Sequence, residues 1–245
     1  KLAVLLTNAA TLDASLDRLD VAEAGFLEAM RIVEKHQGPD SPHLWPNLTG
    51  LAGVLRDRGL QDDAQTHYER ALAIARKTYT TDHPWVAHSL IDVGGMRVER
   101  GDYEAGERDL QEAIAIHTRL NSPRVVNGLR HLGVSQTRRG NLSAARATLQ
   151  RGWETCQARD QSDNSVCVVM RANLAHVLAR SGEADVALAH ADAAIATLAR
   201  HSGMAEQKSQ ALHARAAALA ALDRTEEARL AFDEAIALLT DAYGP

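Results

Sequence analysis

Two cysteines and eleven histidines are the residues of this 245-residue chain best suited to hold a metal or activate a nucleophile. A structural zinc site takes four ligands at tight spacing, and nothing near Cys156 or Cys167 supplies the rest. The two cysteines flank a predicted helix-to-helix loop almost symmetrically. They can therefore meet across the hairpin as a disulfide in an oxidising compartment, or stand as two small buried residues, as free cysteine often does. The histidines are scattered: there is no His-Glu-x-x-His, no pair of His four apart, no Gly-rich phosphate loop and no Gly-x-Ser-x-Gly elbow. The reading is of a chain with no metal, no cofactor and no enzymatic activity. Asn47-Leu48-Thr49 and Asn141-Leu142-Ser143 spell a glycosylation sequon, but both fall at helix positions and read as chance.

What must position any site is legible in the composition. The formal charge of -5 argues against a surface built to track phosphates, so no nucleic acid is expected. At 45% hydrophobic and 24% charged, and without a long apolar run, the chain is neither membrane-inserted nor disordered. Ala fills 44 positions and Gly 16, while aromatics make up only 4%. Ala is the best helix former and small residues let helix axes approach closely, which points to an all-α protein. Basic charge is carried by Arg far more than Lys, a hint of a GC-rich bacterial source. The chain opens on Lys1 rather than Met and reads as a fragment of something longer.

A period organises these residues. The phrases Gly59-Leu60-Gln61-Asp62-Asp63-Ala64, Gly101-Asp102-Tyr103-Glu104-Ala105-Gly106, Gly140-Asn141-Leu142-Ser143-Ala144-Ala145 and Gly182-Glu183-Ala184-Asp185-Val186-Ala187 align, and Asp17 to Ala22 and Asp223 to Ala228 join them. Six units of about 40 residues follow, with approximate bounds 3–42, 43–84, 85–122, 123–163, 164–203 and 204–245. Three slots per unit are always Ala or Gly. One is in the first helix (Ala10, Ala52, Gly94, Gly133, Ala175, Ala216), and two are in the second (Ala22, Ala64, Gly106, Ala145, Ala187, Ala228; then Ala29, Ala71, Ala113, Gly152, Ala194, Ala235). Large apolar residues fill complementary slots, as ridges fill grooves. Among them is the row Leu6, Leu48, Leu90, Leu129, Arg171 and Leu212, in which Arg171 stands out.

Small residues at these places, Gly ending the first helix and an aromatic or Leu on the second resemble the tetratricopeptide repeat over the full length. The unit of about 42 and the loop phrases Gly38-Pro39-Asp40-Ser41-Pro42-His43 and Thr81-Asp82-His83-Pro84 are similar to the kinesin-light-chain type, widespread in bacterial regulators. Asp17 and Asp223 depart from the pattern where Gly is usual, and so does Asp13 where Leu is usual. The resemblance implies one solenoid domain, a right-handed superhelix of about six helix-turn-helix repeats with first helices on the concave side. Such a row of helix pairs has no obvious enclosed pocket in which to shift a pKa. His43 and His83 then belong to the loop phrase. His36, His67, His117, His190 and His201 fall on second helices, with a solvated or partner-facing role. Asp241 to Pro245 read as the opening of another loop, so that further sequence follows or the end packs on another copy.

With the small first-helix residue as position eight, positions two, five, nine, twelve and thirteen form a stripe. The residues expected to receive a guest are Thr49, Arg56, His88, Arg130, Arg138, His176, Arg180 and His213. Asn173, at position six, is similar to the backbone-binding Asn of many tetratricopeptide grooves. The charges on this stripe are mainly Arg, which recognises carboxylates through paired hydrogen bonds, so the expected partner is an acidic peptide or protein segment. The groove has no Lys, so the carboxylate clamp of chaperone-binding relatives is not carried over. The function expected is a scaffold within a larger signalling protein. The alternative is an architectural module that self-associates, as a homodimer, through its terminal repeats. A cytoplasmic location is expected, or a periplasmic one if Cys156 and Cys167 are linked.

Overall fold

The computed structural model describes residues 1–200 and 204–244. His201 and Pro245 therefore lie outside the described residues. Among those described are twelve α-helices and no strand. The helices are α1 (Leu2–Ser15), α2 (Leu19–Gln37), α3 (Trp45–Asp57), α4 (Gln61–Thr78), α5 (Pro84–Glu99), α6 (Tyr103–Arg119), α7 (Val125–Arg138), α8 (Leu142–Ala158), α9 (Ser165–Arg180), α10 (Ala184–Leu198), α11 (Ala205–Ala221) and α12 (Thr225–Tyr243). They form two compact units, Lys1–Asn121 with α1 to α6 and Ser122–Pro245 with α7 to α12. Each unit is a short α-solenoid of three antiparallel pairs. Within the first, α3 packs on α2 and α5 on α4; within the second, α9 packs on α8 and α11 on both α9 and α10.

The turns between paired helices need a left-handed residue, and Gly59, Gly101, Gly140 and Gly182 supply it with φ from 78 to 86°. Asp17 and Asp223 adopt the same conformation, φ 59 and 58°. A short polar side chain tolerates this region, which is why Asp stands where Gly was expected. Helix starts are fixed by side chains that accept from backbone amides: Asp102 from Ala105, Asn141 from Ala144, and Asn164 from Val166. Asn141 is thereby a cap, and Asn47 is buried within α3, so both sequons have structural uses. His83 accepts from the Trp85 amide at the start of α5, a structural role for the loop histidine.

The small slots are where helices touch. A Cβ on Gly106 would come within 2.7 Å of the Gly94 carbonyl oxygen, so α5 and α6 meet backbone to backbone. Large residues fit against other glycines, Leu149 against Gly133 and Met170 against Gly152 in the recurring slots and Phe26 against Gly50 outside them. Arg171 now has its reason. Its guanidinium lies 4.8 Å from the centre of the Trp153 ring, and its Nε donates to His190 Nδ1 at 3.4 Å. A cation over an indole face satisfies a position that is apolar elsewhere.

Consecutive repeats are also joined by ion pairs, Arg70 with Glu34 at 2.6 Å, Arg76 with Glu112 at 2.9 Å and Lys77 with Asp40 at 2.6 Å. Arg70 and Glu34 are half-buried and the other two pairs exposed, so solvent screens these contacts and they add little to stability. His36 is exposed and His67 and His190 are half-buried, but His117 is wholly buried in α6, which corrects the expectation of a solvated or partner-facing role there. Among the described residues no helix is long and apolar enough to cross a membrane.

Candidate functional site

The expected guest-binding residues divide between the two units. In the first unit, Thr49 spends its hydroxyl on its own helix, donating to the carbonyls of Trp45 at 3.0 Å and Pro46 at 3.2 Å. Arg56 is bonded to the adjacent Asp57 at 3.1 Å. His88 sets its ring edge-on to Trp45, 5.2 Å between centres, with Nε2 3.5 Å from Asp92 Oδ2. Trp45 is the organiser here. It stacks on Trp85 at 4.9 Å with planes 6° apart, and its indole N–H donates to the buried Ser89 hydroxyl at 2.7 Å. This aromatic bridge spans α3 and α5, and neither tryptophan was singled out by the charge and stripe pattern. Position one of the first helix, where Trp45 sits, would have been the place to look.

In the second unit, Asn173, His176 and His213 are brought together. With Ala172, Ser209 and Gln210 they line a cleft of about 330 Å³ between α9 and α11. The small residues Ala172 on α9 and Ala211 on α11, both buried in one apolar cluster, let these helices approach closely and hold the polar side chains at the surface above. The His176 and His213 rings are 5.2 Å apart, and His213 meets the Phe232 ring edge-on at 5.3 Å. His176 Nδ1 is buried without a hydrogen-bond partner. Burial, then the neighbouring His213 and Arg180, push the His176 pKa down to about 4. The imidazole is neutral at pH 7 and presents one donor and one acceptor, of which Nδ1 is unspent. Arg180 stands exposed at the end of α9, whereas Arg130 on α7 lies 2.7 Å from His131 Nε2, and Arg138 is exposed near the end of α7. Ser209 was missed by the sequence reading, and Gln210 stands at position two of the stripe beside it.

Residues 43–118, spanning α3 to α6, match the tetratricopeptide repeat family model. Over that stretch the chain carries tetratricopeptide repeats. In fold it is similar to BtubC (BKLC) from P. vanneervenii, at 17% identity over 94% of this chain and 93% of that one, with a TM-score of 0.69. It is similar too to the nearly identical TPR-like repeats of a kinesin-light-chain type protein from Podosopora anserina, at 18% identity, 82% and 97% coverage and a TM-score of 0.64. A third likeness is to a Rap protein complexed with Competence and Sporulation Factor, at 20% identity, covering 98% of this chain and 64% of that one, with a TM-score of 0.75. No curated protein sequence matches. The fold is thus similar to that of kinesin-light-chain-like repeat proteins, and folds of the tetratricopeptide type generally serve as scaffolds for protein partners. Among the described residues no three His, Cys, Asp or Glu side chains gather as metal ligands.

The depressed pKa of His176 has a measurable consequence. Its ordinary value is about 6.5, so below that pH the unfolded chain binds a proton that the folded chain refuses until about pH 4. Stability is undiminished above about 6.5 and falls as pH drops through this window. Burial acts in the same direction on His67 and His190. Urea unfolding of His176→Gln should show a visibly shallower loss over this window than the parent chain; an identical slope means that His176 is not held neutral.

Proposed function

We propose that the chain is a non-catalytic interaction scaffold that receives an extended segment of a partner protein along its first helices, with the α9–α11 cleft as its principal hold. The observation that carries this is the polar lining of that cleft. Asn173 offers an amide, Ser209 a hydroxyl and Gln210 the oxygen of an amide whose nitrogen donates to Glu206 at 3.2 Å, beside the small Ala172, which leaves room for a backbone. Side-chain amides can both donate to and accept from a peptide group, which is what an extended main chain presents. The positive charge of Arg180 beside His176 supports a partner with acidic residues next to the held segment. In the first unit Thr49, Arg56 and His88 are all engaged locally, His88 with Trp45 and Asp92. A related fold bound to a factor, the Rap complex, supports a role in signalling.

Cys156 and Cys167 are joined as a disulfide. Of the two compartments considered, this supports the oxidising one as the working location.

The test is selection of binders from a random-peptide display library on the 245-residue chain, followed by titration of the enriched peptides against Asn173→Ala/Gln210→Ala. Loss of two hydrogen bonds predicts affinity weakened about tenfold or more. Enriched peptides that bind the double variant as tightly as the parent would show that the cleft is not the hold.

A further inference from the structure

At one slot the second helices carry Phe26, Leu110, Leu149, Ala191 and Phe232, and in the second repeat Tyr68. Tyr68 alone among them has a polar atom, which packing at this slot does not require. A buried tyrosine ordinarily finds its hydroxyl a partner within the fold. Tyr68 is 4% exposed, yet its hydroxyl makes no hydrogen bond to any described residue. It is not sealed in: the oxygen touches solvent beside Gly53 of α3, lying 3.9 Å from where a Cβ on that glycine would stand. Because α4 packs on both α3 and α5, the hydroxyl is set among residues of both first helices.

Those residues are mostly acidic. Asp57 ends α3, and Asp92 and Glu99 stand two turns apart on one face of α5. In the common register Asp57 and Glu99 occupy the slot that holds Arg138 and Arg180 in the second unit, so the sign of charge is reversed here. Burial first, then Asp92, with Asp57 and Glu99 in the same sense and Arg56 opposing, push the Tyr68 pKa up. The hydroxyl thus stays protonated and keeps its lone pairs for a donor. Arg56, the cation in this group, is already bonded to Asp57 at 3.1 Å, and Asp92 lies 3.5 Å from His88 Nε2. Glu99 is exposed and makes no ion pair or hydrogen bond with a described residue.

We propose that this opening between α3 and α5 is a subsite for one basic side chain of the guest segment, a lysine or arginine that donates to the Tyr68 hydroxyl and to the Glu99 carboxylate. Ammonium and guanidinium groups carry several donors and no acceptor, so a protonated phenol oxygen and a carboxylate together suit them. Three carboxylates against one guanidinium set the sign of the guest group. Gly53 keeps the hydroxyl within its reach, since a side chain there would stand over it. The inference rests on the reading that a guest lies along the first helices, and it adds what that guest must carry where it meets the first unit.

Peptides enriched from the display library on the 245-residue chain supply the probe. Each is remade with its basic residues changed singly to glutamine and titrated against the parent, Tyr68→Phe and Glu99→Gln. One fixed basic position should emerge, whose change weakens binding to the parent about tenfold or more. On either variant the same change should cost severalfold less, whereas general attraction to an acidic protein would leave the cost on Tyr68→Phe undiminished and overturn the subsite. Enriched peptides without a fixed basic residue overturn it too, while leaving the α9–α11 hold standing; a library that yields no binder removes both. Urea unfolding of Tyr68→Phe needs no guest. Its midpoint should be no lower than that of the parent, and an earlier midpoint would show that the hydroxyl is spent inside the fold, against the proposal.

Discussion

Gly106→Ala is expected to lower the stability of the first unit by about 2 kcal/mol, seen as an earlier urea midpoint. Helix propensity alone gives the opposite sign, because alanine is favoured over glycine inside a helix by about 1 kcal/mol. Packing decides it. The new methyl would stand 2.7 Å from the Gly94 carbonyl oxygen and 2.8 Å from Val98 Cγ2. The first of these is backbone and cannot rotate away, so α5 and α6 must move apart, and overpacking of this kind costs about 1–3 kcal/mol or more. Gly53→Ala is the internal control. The nearest atom to a Cβ there is the Tyr68 hydroxyl at 3.9 Å, an ordinary contact. Propensity should then prevail, with a gain of about 0.5–1 kcal/mol. If both substitutions stabilise, the close approach of α5 to α6 is not rigid.

Reduction of the Cys156–Cys167 disulfide should cost the second unit about 3 kcal/mol, the chain-entropy value for closing a loop of this size, the two residues being 11 apart. The bridge ties the last turn of α8 to the first turn of α9, and both residues are buried. Its loss frees the intervening loop, and thereby the start of the helix that bears Asn173 and His176. Thermal unfolding with and without reductant, alongside Cys156→Ala/Cys167→Ala, measures this. The double variant should match the reduced parent and be insensitive to reductant. A parent chain whose melting is unaffected by reductant would show that the helix packing alone holds this hairpin.

The repeat was legible in the sequence because it is imposed by sterics. Where two helices cross closely only a small residue fits, Gly alone where backbones nearly touch as at Gly94 and Gly106 and Ala or Gly at the corresponding slots of the other repeats. The turn was legible for a similar reason, although Asp17 and Asp223 show that a left-handed residue, not glycine itself, is required. Arg171 was opaque because its partners, Trp153 and His190, lie on other helices and are set by no spacing. The site was half legible. Asn173 and His176 share a face of α9 by helical periodicity, His213 stands in the stripe of α11, and the structure brings the three together. That Arg56 is bonded to Asp57, and that Thr49 bonds to its own helix, depends on rotamers, which a pattern of residue types does not contain. Trp45, Trp85 and Ser89 escaped notice because their bridge links two helices at positions outside the stripe.

Among the described residues of each compact half, helices pack on their own pair and the neighbouring pair. Inheritance can exploit such an arrangement: duplicating or deleting one whole unit of about 42 residues leaves every surviving neighbour relation of the same kind, whereas an insertion of half that length would reverse the direction of every later helix. A lineage carrying this architecture is free to vary its rung number while keeping each rung intact.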